Sequence, residues 1–231
     1  MSEAGLAVVF GASGGIGAAL AEALIGQGRH GRVIALSRAS DPAIDFDQLS
    51  GLSEVAAWLA DQPGELRTVI DATGFLHDET FQPERSLRDL DADHLHRAFA
   101  INAVGPALLM KHVLPLLPRA GRSVFATLSA RVGSISDNRL GGWHAYRASK
   151  AALNQLVRGA AIEFARKRPE AICVALHPGT VETGLSAPFS KSGLAVRPPA
   201  EAADDILAVI ASLDPAQTGG FFDHKGQPIP F

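Results

Sequence analysis

Short apolar runs along the chain alternate with longer stretches in which apolar residues recur every three or four positions. The short runs are typical of buried strands, and the longer stretches are typical of amphipathic helices. Predicted strands cover residues 6–10, 32–37, 68–71, 123–128, 172–177 and 220–222, with a further short strand near 44–46. Predicted helices cover residues 15–27, 54–61, 91–117, 145–168 and 200–212. Because strands and helices alternate, we expect an α/β fold with a doubly wound parallel sheet, which binds ligands at the carboxyl ends of its strands.

The size and composition of the chain fit one such domain. With 231 residues and 47% hydrophobic content, residues 1–231 are expected to form a single domain with a full core. The net charge of −3 argues against a basic nucleic-acid-binding stripe. No apolar run approaches the ~18 residues of a membrane helix. Cys173 lies in an apolar run and is expected to pack in a strand. The N-terminus lacks a basic leader, so cytoplasmic residence is the default expectation.

A glycine-rich segment follows the first predicted strand and precedes the first predicted helix. Glycine lets the backbone turn sharply and approach a pyrophosphate, whose charge is attracted by the N–H groups at a helix N-terminus. A strand, a glycine turn and a helix in this order are typical of a Rossmann-type dinucleotide site; the alternative is a plain glycine-rich turn. The residues expected to contact the phosphates are Gly11, Ser13, Gly14, Gly15, Ile16 and Gly17.

The residues after the second predicted strand indicate which dinucleotide is bound. An acidic side chain there binds the ribose hydroxyl of NAD, whereas an arginine suits the additional phosphate of NADP. Ser37 and Arg38 offer a hydroxyl and a planar guanidinium, so NADP, bound as NADPH, is favoured over NAD. The alternative is an ordinary exposed Arg38, with Asp41 binding the ribose of NAD.

Tyr146 and Lys150 are spaced four residues apart within a predicted helix. This spacing places both side chains on one helix face, where the ammonium group is expected to lower the pKa of the phenol. A phenol tuned in this way can serve as a general acid or base. The histidines do not show the spacing of a metal site, so no metal is expected.

Five motifs together resemble the short-chain dehydrogenase/reductase family. Two of the motifs are the glycine loop and the tyrosine–lysine pair. A third is an Asp-Ala-Thr-Gly segment that ends at Gly74, where the family has Asn-Asn-Ala-Gly. The glycine matches the family, whereas Asp71 departs from its pattern. The segment around Asn102 resembles the family's active-site asparagine helix, and residues 177–183 resemble the loop beside the nicotinamide. Three stretches further resemble the C-factor and sniffer-type carbonyl reductases, namely residues 133–138, 146–154 and 219–231.

The resemblance implies roles for individual residues. The implied catalytic residues are Tyr146, Lys150, Asn102 and Ser129. Beyond the glycine loop, the implied cofactor contacts are Ser37, Arg38, Asp45, Ala72, Gly74, Asn102, Tyr146, Lys150, Pro178, Gly179, Val181 and Thr183. Asn102 would hold a water leading to Lys150. Pro106 has no N–H to donate to the Asn102 carbonyl, which leaves that oxygen free for such a water.

The catalytic serine is the point at which the chain departs most from the family. The family ends its fifth strand with two serines and uses the second, but Ala130 stands at that position. Ser129 or Ser134 is expected to supply the hydroxyl, and Ser129 is the preferred candidate. In a strand, the side chain of Ser129 would point to the opposite face from residue 130.

The resemblance implies an NADP(H)-dependent oxidoreductase that transfers a hydride between the nicotinamide and a small carbonyl or alcohol substrate, with Tyr146 as general acid or base. The alternative, which Ala130 and Asp71 leave open, is a weakly catalytic or non-catalytic dinucleotide-binding signalling or scaffold protein. Apolar residues on the helices at 91–117 and 145–168 lead us to expect a homodimer or homotetramer. The short lid at 184–197 indicates an open pocket for small or flat carbonyl compounds.

Overall fold

A computed structural model of the protein describes residues 5–49, 51–184 and 196–231. Its strands are Leu6–Phe10 (β1), Arg32–Leu36 (β2), Leu66–Asp71 (β3), Ser123–Leu128 (β4), Ala171–His177 (β5) and Phe221–Asp223 (β6). They form one parallel sheet in the order β2-β1-β3-β4-β5-β6. Each strand starts and ends within two residues of its predicted position.

Helices cover both faces of this sheet. Their bounds are Gly15–Gln27 (α1), Leu52–Ala60 (α2), Ala92–Phe99 (α3), Gly105–Val113 (α4), His144–Ala165 (α5) and Pro199–Ser212 (α6). Alternate residues of a strand point to opposite faces. Thus Leu6, Val8 and Phe10 join a core with α2, α4 and α5, whereas Ala7 and Val9 join a second core with α1 and α6. The predicted doubly wound α/β fold is confirmed.

The predicted short strand at 44–46 is wrong. Ile44 and Phe46 are buried but lie in a loop after β2, where the Ile44 N–H donates to the Ser37 carbonyl at 2.9 Å. Phe46 packs against the start of α4, where a Cβ on Gly105 would come within 2.4 Å of the phenyl ring. The alternating apolar pattern therefore comes from a loop packed against a helix and not from strand pairing.

The single helix predicted for residues 91–117 is divided in the structure. A π-helical turn, Ala100–Val104, joins α3 to α4. Because Pro106 has no N–H, a regular bond to the Asn102 carbonyl cannot form, which favours the wider turn. By length and mean hydropathy, the helical run Ala92–Leu116 could cross a bilayer although polar residues interrupt it, and 44% of its most apolar window is buried inside the fold.

The single cysteine of the chain lies in β5, as predicted. Cys173 is 3% exposed, and its backbone N–H donates to Thr218 Oγ1 at 3.0 Å. Burial raises the pKa of its thiol to about 12. Cys173 is therefore a packed core residue.

Candidate active site

The glycine loop connects β1 to α1 at the carboxyl edge of the sheet. Gly11 has φ +78°, and a Cβ there would lie 2.9 Å from the Ala72 carbonyl carbon. A Cβ on Gly17 would lie 2.2 Å from the Gly11 carbonyl oxygen. No side chain caps α1 at Gly14, so the helix presents backbone N–H groups at its N-terminus. Only glycine fits this cradle at positions 11 and 17, and an uncapped helix start is suited to a phosphate.

Two adjoining cavities continue from this loop along the carboxyl edge. The first, here called the outer cavity, has a volume of about 360 Å³, and the second, the middle cavity, has a volume of about 380 Å³. The two share part of the glycine loop and the segment after β3. Predicted cofactor residues that line one or both are Gly11, Ser13, Gly14, Gly15, Ile16, Gly17, Ser37, Arg38, Asp45, Ala72, Gly74, Tyr146, Lys150, Pro178 and Thr183.

The outer cavity contains the residues that were predicted to select NADP. Arg38 is exposed, and among the described residues no carboxylate forms an ion pair with it. The Ser37 Oγ accepts from the Ala39 N–H at 3.1 Å, and the Asp45 Oδ1 accepts from the Asp47 N–H at 3.0 Å. An unpaired guanidinium beside a glycine cradle fits a dinucleotide that carries an additional phosphate.

Tyr146 and Lys150 lie on α5 and line the middle cavity. Lys150 is 3% exposed, and its Nζ donates to the Leu128 carbonyl at 2.9 Å. Burial lowers the pKa of Lys150 to about 8, although the charge of Asp71 acts to raise it. Burial raises the pKa of Tyr146 to about 12. The predicted lowering of the phenol pKa of Tyr146 is therefore wrong for this structure, because desolvation of the phenol dominates.

Asp71 is a fully buried carboxyl at the end of β3. Its Oδ1 accepts from the Thr73 Oγ1 at 2.6 Å and from the Thr73 N–H at 3.1 Å, and its Oδ2 accepts from the Thr127 Oγ1 at 2.8 Å. Burial raises the pKa of Asp71, while these hydrogen bonds and the Lys150 charge act to lower it. Asp71 of β3 and Thr127 of β4 are paired neighbours in the sheet, and the hydrogen bond between their side chains connects the two strands.

Asn102 lies behind the cleft and not in its wall. Its Oδ1 accepts from the Phe75 N–H at 2.8 Å, and its Nδ2 donates to the Phe75 carbonyl at 2.7 Å and to the Ser149 Oγ at 3.1 Å. The side chain is fully buried and lines none of the cavities described here. The predicted contact of Asn102 with the cofactor is therefore not supported, since its side-chain polar atoms hold the Phe75 backbone. A Cβ on Gly74 would lie 3.7 Å from both Asn102 Oδ1 and Lys150 Nζ.

The two candidate serines lie in different surroundings. Ser129 lines the middle cavity, and its Oγ donates to Asn154 Oδ1 at 2.7 Å. Ser134 is buried and lines none of the cavities described here; its Oγ accepts from the Asp137 N–H at 3.1 Å. Of the two hydroxyl groups, only that of Ser129 is placed beside the cleft, and its catalytic role stays a prediction.

A third cavity, here called the apolar cavity, has a volume of about 510 Å³ and also includes Tyr146 in its wall. Gly179 and Val181, which were predicted as cofactor contacts, line this cavity. His177 lines it too, and burial lowers the pKa of His177 to about 4. The lid predicted at 184–197 lies largely outside the described residues. The sequence reading did not single out several other lining residues, namely Leu76, Arg131, Val132, Arg139, Leu140, Trp143 and Arg147.

The N-terminus of α5 is held by a residue that sequence reasoning missed. The Ala145 N–H lies 3.2 and 3.3 Å from the two carboxylate oxygens of Glu84, and the Trp143 N–H donates to the Glu84 carbonyl at 2.6 Å. Glu84 Oε1 also lies 3.3 Å from His94 Nδ1. Glu84 and His94 are both buried. Glu84 precedes the helix by 60 residues, so no local pattern indicates this cap.

The arrangement combines a glycine cradle, an adjoining cleft and a tyrosine–lysine pair at the carboxyl edge of a doubly wound sheet. Such a site defines a dinucleotide-binding oxidoreductase. No group of three or more metal-ligating side chains occurs in the part of the chain that the structure describes.

The chain belongs to the short-chain dehydrogenase family, whose family model matches residues 5–192. It is 37% identical to the C-signal protein of Myxococcus xanthus over 147 residues, which cover 63% of this chain and 84% of that protein. The structure is similar to carbonyl reductase Sniffer of D. melanogaster, with a TM-score of 0.83 and 22% identity over 99% of each chain. It is also similar to the NADPH-bound carbonyl reductase from chicken fatty liver, with a TM-score of 0.84 and 21% identity over 100% of each chain. The predicted family is confirmed, and both types that the sequence resembled are among its relatives.

Proposed function

We propose that this protein is an NADP(H)-dependent oxidoreductase that interconverts a small carbonyl compound and its alcohol, with Tyr146 as general acid or base. The observation that carries the proposal is the position of Tyr146, which lines both the middle cavity and the apolar cavity. A side chain at this junction can contact a substrate in the apolar cavity while the nicotinamide occupies the middle cavity. Both reactants are then held beside the same proton donor.

The choice of NADP rests on the outer cavity. Arg38 has no ion-pair partner among the described residues and can provide parallel N–H donors to a ribose phosphate. Neither residue 37 nor residue 38, at the end of β2, is acidic. The similarity to an NADPH-bound carbonyl reductase supports the same choice.

NADPH, when bound, supplies a hydride to the carbonyl carbon. Tyr146 gives its phenolic proton to the carbonyl oxygen as the double bond becomes single. With its pKa raised to about 12, the phenol carries its proton at neutral pH, which suits a donor in carbonyl reduction. Lys150 lies one helical turn further along α5 and, with a pKa of about 8, is largely charged at neutral pH. Its ammonium group stabilises the phenolate that forms, and a proton from solvent restores the phenol.

A second candidate function is a dinucleotide-binding signalling protein with little catalysis. Ala130 offers no hydroxyl, and the Ser129 hydroxyl is engaged with Asn154. Loss of one donor to the reacting oxygen typically costs ~10²–10³ in turnover. The similarity to a protein named C-signal also favours this alternative.

One assay separates the two functions. NADPH oxidation is followed with a panel of aldehydes, ketones and quinones, for the parent protein and for Tyr146→Phe. NADPH binding to both proteins is measured by calorimetry. Turnover that falls by ~10²-fold or more in the variant, with NADPH binding retained, is the expected result. Tight NADPH binding without turnover of any compound would favour the signalling protein, and absence of NADPH binding would overturn both.

We further propose that the protein acts in the cytoplasm, as a homodimer or homotetramer, on small molecules and without nucleic-acid or membrane partners. A surface groove between α4 and α5 supports the assembly, since its walls include Met110, Leu114, Leu156 and Phe164. Light scattering after size-exclusion chromatography measures the oligomeric state. A monomer at micromolar concentration would contradict the assembly.

A further inference from the structure

We propose that the apolar cavity selects carbonyl substrates that carry an anionic group, bound by Arg147 with help from Arg139. This inference rests on the proposed function and adds a substrate class to it. The cavity is lined by three arginines, Arg131, Arg139 and Arg147, and by one acidic residue, Asp137. Its described wall therefore carries a surplus of positive charge.

Arg147 is the cation that this inference depends on most. Its Nε donates to the Gly142 carbonyl at 2.9 Å and one terminal nitrogen donates to the Val132 carbonyl at 3.4 Å. These two acceptors fix the guanidinium but carry no net charge. Within the ranges that the structure describes, no carboxylate forms an ion pair with Arg147. Partial burial lowers the pKa of Arg147, yet arginine stays charged in proteins.

The two other arginines differ in how far they are neutralised. Arg131 lies 3.2 Å from Asp137 and 3.4 Å from Asp223, so two carboxylates balance its charge. Arg139 is exposed at the rim, where one terminal nitrogen donates to the neighbouring Asn138 carbonyl at 3.4 Å. Arg139 can therefore turn towards a ligand that Arg147 holds.

The rest of the wall supports an apolar substrate body. Val132, Trp143 and Leu76 line the cavity together with Ala130. His177 adds no charge near neutral pH, because burial lowers its pKa to about 4. An ion pair is stronger beside apolar walls than in water. The chemistry of this wall fits an aryl or alkyl aldehyde or ketone with a carboxylate at the end away from the carbonyl.

Two aldehydes of matched shape test this selection in the full-length protein. These are 4-formylbenzoate and its neutral methyl ester, each reduced with NADPH. A charge-assisted bond to the carboxylate is expected to give 4-formylbenzoate a KM about 10- to 100-fold lower than that of the ester, with similar kcat. Added salt is expected to reduce this preference without changing turnover of the ester.

Variants locate the effect within the cavity. Arg147→Met and Arg139→Gln are each expected to raise the KM for 4-formylbenzoate by a larger factor than the KM for the ester. Arg139→Gln keeps the test valid if Arg147→Met folds poorly, because Arg139 is exposed. Arg158→Gln is the matched control, since Arg158 is an exposed arginine on α5 that does not line the cavity.

The outcomes distinguish this inference from the proposed function. Reduction of the ester with no preference for the carboxylate would overturn the anion site alone. If neither aldehyde is reduced, calorimetry with benzoate and benzamide on the NADPH-loaded protein decides the question. Tighter binding of benzoate that is lost in Arg147→Met supports the anion site even though the proposed reduction then fails. Equal binding of the two compounds overturns the anion site.

Discussion

Replacement of Glu84 is the sharpest test of how the fold positions Tyr146. The buried carboxylate accepts from the Ala145 N–H, one residue before Tyr146, and contacts His94. Glu84→Ala removes the carboxylate acceptor of a buried N–H, which costs ~1.5–3 kcal/mol of stability. The change also leaves His94 without this partner, which costs a further ~1–3 kcal/mol. We therefore expect the free energy of unfolding to fall by about 3–5 kcal/mol, which is within the range known for breaking a buried pair.

Thermal unfolding followed by circular dichroism measures this effect. For a chain of this size, 1 kcal/mol corresponds to ~2–4 °C in Tm, so Glu84→Ala is expected to melt ~6–20 °C lower. Glu84→Gln keeps an oxygen for the Ala145 N–H and is expected to lose only about 1 kcal/mol. Glu79→Gln, an exposed change in the same loop, is the control and is expected to stay within ~0.5 kcal/mol.

The same variants connect the cap to the reaction. The Glu84 carboxylate holds the Ala145 N–H and so orders the first turn of α5, which carries Tyr146, whereas the Trp143 N–H donates to the Glu84 backbone carbonyl, which both variants keep. We expect Glu84→Ala to lower kcat even at temperatures where it is fully folded. A Glu84→Ala protein that melts within about 1 °C of the parent would refute the reasoning, since a buried cap of this kind cannot be lost without cost.

Two further changes test the cleft. Gly17→Ala places a Cβ 2.2 Å from the Gly11 carbonyl oxygen. The clash is expected to destabilise the fold by ~1–3 kcal/mol and to abolish NADPH binding, as measured by calorimetry. Gly26 is a helical position with open space around it, so Gly26→Ala is expected to gain ~0.5–1 kcal/mol of stability and to bind NADPH unchanged. Equal NADPH binding by the two variants would contradict the proposed glycine cradle. Asp71→Asn removes a charge that raises the pKa of Lys150, so the alkaline limit of kcat/KM is expected to move to lower pH, and an unmoved limit would show that the two groups are not coupled.

The strands and the glycine loop were predictable because their signals are local. β1 and β5 are continuous apolar runs, and the glycine loop stands between a strand and a helix in the sequence itself. The prediction at 44–46 failed although its signal was also local. Burial of Ile44 and Phe46 against a distant helix gives the alternating pattern that a strand would show. The π turn at Ala100–Val104 was missed, although Pro106 was a visible reason for it.

The site was predictable as a set of positions but not as a set of interactions. The spacing of Tyr146 and Lys150 placed both in the cleft, but the direction of the Tyr146 pKa shift depends on how deeply the fold buries the phenol. The use of Asn102 to hold Phe75 depends on a contact across 27 residues. Such contacts leave no periodicity in the sequence.

The buried thiol of Cys173 can serve as an intrinsic probe of unfolding. The thiolate is the nucleophile that reacts with alkylating reagents, and burial in β5 both raises the pKa of the Cys173 thiol to about 12 and shields it from the reagent. The rate at which a mass-labelled reagent marks this one atom, measured in the native protein, therefore follows the population of the opened state. Each variant above can be ranked by that rate without denaturant or engineered probe.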